Sequence, residues 1–307
     1  MPLMSLIDMY KPANKQKYAI GAFNVNNMEF VQSAIEAAEE LKSPAILAAS
    51  TSALKYGNFD YLINLVKIGA KRTSAPIALH LDHGETIEDA KRCIDLGFTS
   101  VMIDASKKPF EENIRMTKEV VKMAHPLNIC VEAELGLLGG IEDEVVVDER
   151  EARLTDPKQA VEFVQKTGCD ALAVAVGTSH GAYKFKGEAK LAFDRIDEIK
   201  KKTGIPLVLH GASGVPEDVV ALATKFGAEL PGAKGVPDDA YREAVKLGIN
   251  KINIDTDLRL TWVGIVRQIL AEQPTVFDPR KILGPARTAV KEIIKVKMQI
   301  IGSAGKA

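Results

Sequence analysis

Ile77-Ala-Leu-His80-Leu81 is a short, continuous apolar run. Asp82-His83-Gly84 follows it, then an amphipathic stretch over Glu85–Leu96 closed by Gly97, then a second apolar run, Ser100-Val-Met-Ile103. An unbroken apolar strand, rather than an alternating one, is what a sheet covered on both faces requires. A helix between two such strands makes the connection a parallel crossover, and strand twist makes that crossover right-handed. The unit repeats in both directions. Ala19–Phe23 and Ala45–Ala49 precede it; Ile129–Glu134, Ala171–Ala175, Leu207–His210 and Lys251–Ile254 follow it. Helical patterns over Met28–Leu41, Pro109–Ala124, Lys158–Thr167, Leu191–Thr203 and Pro216–Phe226 lie between these runs. Prolines stand at first turns and Gly97, Gly168 and Gly204 just past last ones, as helix ends prefer. Eight strands in one order imply an α/β fold, the (β/α)8 TIM barrel. An open doubly wound sheet is the alternative. Its dinucleotide-binding version is disfavoured, because no Gly-x-Gly-x-x-Gly turn follows the first strand.

The chain has 307 residues, about right for one large barrel, so residues 1–307 are expected to form a single domain. Two stretches exceed the minimal unit. Glu134–Thr155 carries Leu135-Gly136-Leu-Leu-Gly139-Gly140, and loops this long inside a compact domain are usually functional. Ala228–Asp239 interrupts the connection before the eighth strand. Two further helices, Leu258–Glu272 and Arg280–Ile301, extend past barrel closure. Helices so placed often cover a partner subunit, so a homodimer or homotetramer is expected. A net charge of −1 gives no electrostatic case for nucleic acid or an acidic membrane surface. Cys93, Cys130 and Cys169 are an odd count without a close pair, and are read as reduced thiols. Met1-Pro-Leu-Met-Ser5 shows no basic segment leading into an apolar one, and no apolar run nears the ~20 residues of a membrane span. A cytoplasmic protein is expected.

The chemistry gathers at the strand ends. His83, His180 and His210 fall just past the ends of three different expected strands, each beside glycine, in a chain with only five histidines. Active-site groups of such a barrel come from the C-terminal ends of its strands. Three imidazoles would hold a zinc ion and leave one position open. His80, inside its strand, is assigned to packing, and His125 to a helix C-terminus. Carboxylates share the rim: Asp82, Asp104, Glu132 and Glu134, with Glu142 and Asp143 in the long loop. Asp82, next to a ligand, either orients an imidazole or acts as acid and base. Glu134 and Asp104 could take a second or displaced ion.

An anion site lies in the same arc. Barrels that bind phosphate often use the loops after strands seven and eight. Here these read Gly211-Ala-Ser213-Gly214 and Asn253-Ile-Asp255-Thr256, while Gly181 and Lys184 follow strand six. Glycines let backbone amides approach a ligand, and a following helix N-terminus favours an anion. A metal beside such a pocket suggests a phosphorylated substrate whose carbonyl or hydroxyl meets the ion. A lysine Schiff base would solve the same problem, but strands four to seven carry no lysine. Lys251 opens strand eight, at the wrong end of the barrel.

The chain resembles the class II, metal-dependent fructose-bisphosphate aldolases nearly end to end. The resemblance rests on Gly21-Ala-Phe-Asn24, Leu79-His-Leu-Asp82-His83-Gly84, Thr99-Ser-Val-Met-Ile-Asp104, Val131-Glu-Ala-Glu134-Leu-Gly136 and Gly140-Ile-Glu142-Asp143. It continues through Gly177-Thr-Ser-His180-Gly181, Leu207-Val-Leu-His210-Gly211-Ala-Ser213 and Lys251-Ile-Asn253-Ile-Asp255-Thr256-Asp257-Leu-Arg259. It implies reversible cleavage of fructose 1,6-bisphosphate to dihydroxyacetone phosphate and glyceraldehyde 3-phosphate. It implies that His83, His180 and His210 hold zinc, with Glu134 and Asp104 at a shifted or second metal position. Asp82 would exchange the proton of the C4 hydroxyl, and Glu142 the proton at the dihydroxyacetone phosphate carbon. Gly181, Lys184, Gly211, Ser213, Asn253 and Thr256 would bind the dihydroxyacetone phosphate half, with a monovalent cation (Na+ or K+) near its phosphate. Asn24 and Ser50 would contact the sugar or assist the loop. Asp278 and Arg280 resemble a motif placed at a neighbouring subunit's site, where Arg280 meets the other phosphate.

Relatives acting on tagatose 1,6-bisphosphate, the C4 epimer, typically carry alanine where this chain has Asp255. Asp255, within the motif that ends at Arg259, therefore points to the fructose sugar. Ser106-Lys107-Lys108-Pro109 and Leu137 depart from the family pattern. A barrel metallohydrolase is the competing reading. It would want a histidine pair near strand one, which instead leads to Asn24, and it leaves the phosphate loops unexplained. A non-catalytic binding protein is a third reading, and the intact ligand set speaks against it.

Overall fold

The computed structural model describes residues 3–137, 139–142, 145–147, 153–180, 191–230 and 233–307; for 139–142, 145–147, 179 and 180 it describes the backbone. Helix α1 (Leu6–Gln16) precedes strand β1 (Ile20–Asn24). Then come α2 (Met28–Leu41), β2 (Ala45–Ser50), α3 (Thr51–Gly57), α4 (Phe59–Ala70), β3 (Ile77–Gly84), α5 (Ile87–Asp95), β4 (Ser100–Ile103), α6 (Phe110–Ala124) and β5 (Cys130–Leu135). The second half holds β6 (Gly139–Glu142), β7 (Val145–Val147), α7 (Pro157–Thr167), β8 (Ala171–Val174), β9 (Ser179–His180), α8 (Phe193–Thr203) and β10 (Leu207–Leu209). It ends with α9 (Glu217–Lys225), α10 (Asp238–Leu247), β11 (Ile249–Ile254), α11 (Thr256–Glu272) and α12 (Pro279–Ile300).

Eight strands close in the order β1-β11-β10-β8-β5-β4-β3-β2, every neighbouring pair parallel. The expected TIM barrel is therefore present, and the open sheet is not. Side chains alternate across each strand. Phe23, Leu47, Leu79, Val101, Val131, Leu172, Leu209 and Ile252 pack outward in the large apolar cluster with the helices. Ile20, Ala22, Ile46, Ala48, Ala78, Met102, Cys130, Ala173 and Val208 pack together inside. Helix α1, absent from the sequence reading, puts Leu6, Met9, Tyr10 and Ala13 into this inner cluster and closes the barrel floor.

Other differences are local, among them helix α10, which forms before the eighth barrel strand where no helical pattern was assigned. Two short helices, α3 and α4, fill the crossover between β2 and β3, where no helical pattern was assigned. The long Glu134–Thr155 connection contains an antiparallel pair, with Gly140 opposite Val147 and Glu142 opposite Val145. Strand β11 begins two residues before Lys251, so that lysine lies within the strand rather than opening it. All three cysteines are buried and unpaired. No helix among the described residues is long and apolar enough to cross a membrane.

Candidate active site

The inner parity explains the barrel mouth. Two residues beyond the last inward-facing apolar position, the strands present Asn24, Ser50, Asp104 and His210. On β3, β5 and β11 the same parity carries His80 then Asp82, Glu132 then Glu134, and Lys251 then Asn253. The polar mouth is thus the upper end of the same stripe that is alanine-rich lower down. Asn24, Asp82, Glu134, His210 and Asn253 are all buried.

His83 breaks this parity. By alternation it would face the helices beside Leu81. Instead its φ is +47°, in the left-handed region that a non-glycine residue enters only at a cost of about 1–3 kcal/mol. The β3–β4 register shifts between Leu81 and Gly84, the signature of a bulge. The bulge turns His83 back over the mouth, so adjacent residues Asp82 and His83 both serve one site. Gly84 is required there. A Cβ on it would lie 2.6 Å from the Met102 carbonyl oxygen and 2.7 Å from Leu81 Cδ2.

His83 Nε2 and His210 Nδ1 face each other at 2.9 Å. The other nitrogen of each ring is held by a carboxylate: His83 Nδ1 by Asp104 Oδ2 at 2.8 Å, and His210 Nε2 by Glu132 Oε1 at 2.8 Å. Carboxylates placed so fix the ring's tautomer and leave the opposite nitrogen to bind a cation. Ligand atoms of Asp82, His83 and His210 lie within 4.8 Å of one another, as do those of His83, Asp104 and Glu134. Burial works against a charged His83, but Asp104 and Asp82 raise its pKa to about 10, so the carboxylates around it favour positive charge at this point of the mouth. Burial pushes His210 the other way. The expected third histidine, His180, sits on β9, where its backbone pairs with Gly140 of β6, the strand that bears Glu142. The side chains of His180 and Glu142, and all of Asp143, Gly181 and Lys184, lie outside the described residues.

Asp82 takes one amide hydrogen on each oxygen, from Asn253 Nδ2 at 2.8 Å and Asn24 Nδ2 at 2.9 Å. Burial opposes its charge, yet His83, Lys251 and His210 hold the carboxyl well below the usual carboxylate range. Glu134 goes the opposite way: burial and the Asp104 charge push it well above that range. The surroundings thus drive two neighbouring carboxyls of one site in opposite directions. Among the described residues, Asn24 Oδ1, Asn253 Oδ1 and Glu134 Oε2 are buried without a hydrogen-bond partner. Buried polar atoms in that state are uncommon, and these three share the mouth.

The loops after β10 and β11 are joined. Ser213 Oγ accepts from the Asp255 and Thr256 amides at 3.2 and 3.1 Å, tying the first loop to the first turn of α11. Asp257 accepts from the Gly214 amide at 3.0 Å and from Val215. Gly211 has φ +58° and Val215 φ +46°, so this loop turns sharply twice. The Ser213 hydroxyl is thus engaged with backbone amides. Asp255 pairs with Arg259 at 2.8 Å. Ser50 Oγ lies 3.0 Å from Ser52 Oγ and caps α3. Asp278 and Arg280 pair with each other at 2.9 Å, with the Arg280 side chain 90% exposed, so Arg280 is presented outward.

Two placements correct the sequence reading. Glu132 is not a rim carboxylate: it is fully buried one layer below the mouth. Lys251 is not remote from it: Nζ sits 2.8 and 2.9 Å from the two Glu132 oxygens and 3.1 Å from His80 Nε2. A lysine set among the isoleucines of this strand was the available signal. His80 donates to or accepts from Ser100 Oγ at 2.8 Å, in keeping with a packing role. Asp257, which fixes the Gly214–Val215 loop, was not singled out either, since an aspartate in a first helical turn has an ordinary local explanation.

The family model for fructose-bisphosphate aldolase class-II matches residues 4–306. A fructose-bisphosphate aldolase of Giardia intestinalis is 51% identical over 310 residues, spanning 100% of this chain and 95% of the relative. One from Thermus caldophilus is 50% identical over 305 residues, spanning 99% and 100%. The crystal structure of the YdjI aldolase from Escherichia coli K12 superposes with a TM-score of 0.82 at 36% identity, covering 99% of both chains.

Proposed function

Since the chain belongs to the class-II fructose-bisphosphate aldolase family, we propose that it reversibly cleaves D-fructose 1,6-bisphosphate to dihydroxyacetone phosphate and D-glyceraldehyde 3-phosphate. It does so in the cytoplasm, as a step of glycolysis and gluconeogenesis, with zinc at the barrel mouth. The observation that carries the reading is the facing pair His83 Nε2 and His210 Nδ1 at 2.9 Å, each ring anchored by a carboxylate on its far side. That donor set fits a divalent cation of nitrogen preference, with His180 as third ligand. The buried Glu134 Oε2 and the Asp104 carboxylate suit a shifted or second position for the same ion. When bound, the ion supplies Lewis acidity at the ketose carbonyl and disperses the charge left on the three-carbon fragment.

The chain's own groups do the rest. Asp82 takes the proton of the C4 hydroxyl as the C3–C4 bond breaks, and returns it in condensation. Asn24 and Asn253 hold its two oxygens in place for that transfer. Glu142 moves the proton at the dihydroxyacetone phosphate carbon. Gly181, Lys184, Gly211, Ser213, Asn253 and Thr256 bind the dihydroxyacetone phosphate half, with a monovalent cation near its phosphate. Ser50 lines the sugar subsite. Asp255, steadied by Arg259, distinguishes the C4 epimers, since an unmatched buried hydroxyl or carboxylate costs about 1–3 kcal/mol. The outward Arg280, set by Asp278, serves the other phosphate in a partner subunit of a homodimer or homotetramer. The test is a coupled triose-release assay with both fructose and tagatose 1,6-bisphosphates, with and without chelator. Release from the fructose sugar, abolished by chelator and restored by zinc, supports the reading. Undiminished release after exhaustive metal removal rejects it.

A further inference from the structure

Below the mouth, five polar side chains form a line of hydrogen bonds with one consistent polarity. Lys251 is the centre. Its ammonium can only donate, and it reaches both Glu132 oxygens, at 2.8 and 2.9 Å. On its other side it lies 3.1 Å from His80 Nε2, which must therefore accept. His80 then carries its proton on Nδ1, facing Ser100 Oγ at 2.8 Å. Glu132, held ionised by the lysine, can only accept. The His210 Nε2 lying 2.8 Å from it must therefore be the N–H, which makes Nδ1 the lone-pair nitrogen. That nitrogen is the one turned to His83. Ser100, His80, Glu132, His210 and Lys251 are all 0% exposed. Water does not compete for any of these bonds.

A buried ion pair is a poor device for stability alone. Two charges removed from water recover their desolvation cost only with good geometry, and apolar replacements of similar volume are often as stable or more so. The pair here has a second connection: Glu132 Oε1, which Lys251 reaches at 2.9 Å, also lies 2.8 Å from Nε2 of His210, a proposed metal ligand. We propose that Glu132 and Lys251 are positioning residues for the reaction: Lys251 orients Glu132, and Glu132 locks His210 as an Nδ1 ligand. The proposal rests on the reading that His210 binds a divalent cation. His80 extends the line, by fixing where the Lys251 ammonium points.

Two measurements separate this role from ordinary packing. The first needs no variant: the His210 tautomer in metal-free wild-type protein, read from long-range nitrogen–proton NMR couplings at pH 7.5. The expected state is Nε2–H with Nδ1 unprotonated. An Nδ1–H tautomer overturns the proposal, whatever the enzyme's activity. The second compares Glu132→Gln, Lys251→Met and the double variant Glu132→Met with Lys251→Met. Zinc affinity is measured by competition with a chromophoric chelator, and the site by the visible spectrum of the cobalt-loaded protein. Loss of such a carboxylate partner typically weakens metal binding 10–100-fold. In the double variant, thermal stability should return to wild type or above, while zinc affinity stays at least about tenfold weaker and the cobalt spectrum stays shifted. Full recovery of both in the double variant assigns the pair to packing and overturns the proposal. Were zinc not to bind at all to wild-type protein, the functional reading above would fail instead, with the tautomer result still standing.

Discussion

Asp82→Asn removes one charge and no heavy atom, so it tests chemistry with little change of shape. The carboxylate now accepts from Asn253 at 2.8 Å and from Asn24 at 2.9 Å. A new amide would set its own N–H against one of these donors, an unmade buried hydrogen bond worth about 1–3 kcal/mol. The site contains the remedy. Asn24 Oδ1 and Asn253 Oδ1 are both buried and without a partner, so a half-turn of either amide offers the new donor an acceptor. The cost to stability should then stay below about 1 kcal/mol. The catalytic cost is much larger. Loss of a positioned acid–base group typically lowers turnover 10²–10⁴-fold, about 3–5 kcal/mol of barrier. The coupled triose-release assay should show kcat lower by at least about a hundredfold, with KM for fructose 1,6-bisphosphate little changed. Zinc content and urea midpoint should be near wild type. Turnover within about threefold of wild type would remove Asp82 from proton transfer. A fall in kcat matched by lost zinc would give Asp82 a role in holding the ion.

Gly84→Ala should shift the end of β3, because the added Cβ would meet the Met102 carbonyl at 2.6 Å; overpacking of this kind costs about 1–3 kcal/mol. A thermal melt and a zinc competition titration should both register it, and unchanged values in both would mean that the bulge is not needed to seat His83. Burial pushes the thiols of Cys93 and Cys169 up to about 12, and that of Cys130 well above its usual range. The folded protein should therefore resist a disulfide reagent from pH 7 to 9 and release three thiols once unfolded; reactivity climbing through that window in the native state would contradict the burial. Glu142→Gln should slow solvent exchange at the dihydroxyacetone phosphate carbon more than it weakens substrate binding, and an unchanged exchange rate would leave Glu142 without a catalytic part.

Most strands were legible as largely apolar runs, and their order followed from the helices between them. The inward stripe was not legible. Continuous apolar strands hide the alternation that would have separated Ala78 from Leu79, so the placement of Glu132 and Lys251 one layer below the rim could not be read. Nor could the turn at His83, since positive φ at a histidine leaves no mark except the adjoining Gly84. His83 and His210 come together as the histidine count and glycine neighbours suggested, whereas the tautomer-fixing carboxylates depend on contacts between strands far apart in sequence. Helix α1 carries Leu6, Met9, Tyr10 and Ala13 at helical spacing behind a Ser5 cap, but Pro12 in its interior is a residue that ordinarily ends a helix. Resemblance carried the roles of Glu142, Lys184 and Arg280 further than local pattern could.

Zinc-edge X-ray absorption of the loaded protein, taken with dihydroxyacetone phosphate present, bears on the ion and its holders at once. Three imidazole nitrogens at about 2.0–2.1 Å, with oxygen completing the shell, is the outcome expected if His83, His180 and His210 grip the cation beside the sugar phosphate. A shell of oxygens alone, or one containing sulfur, would contradict that arrangement.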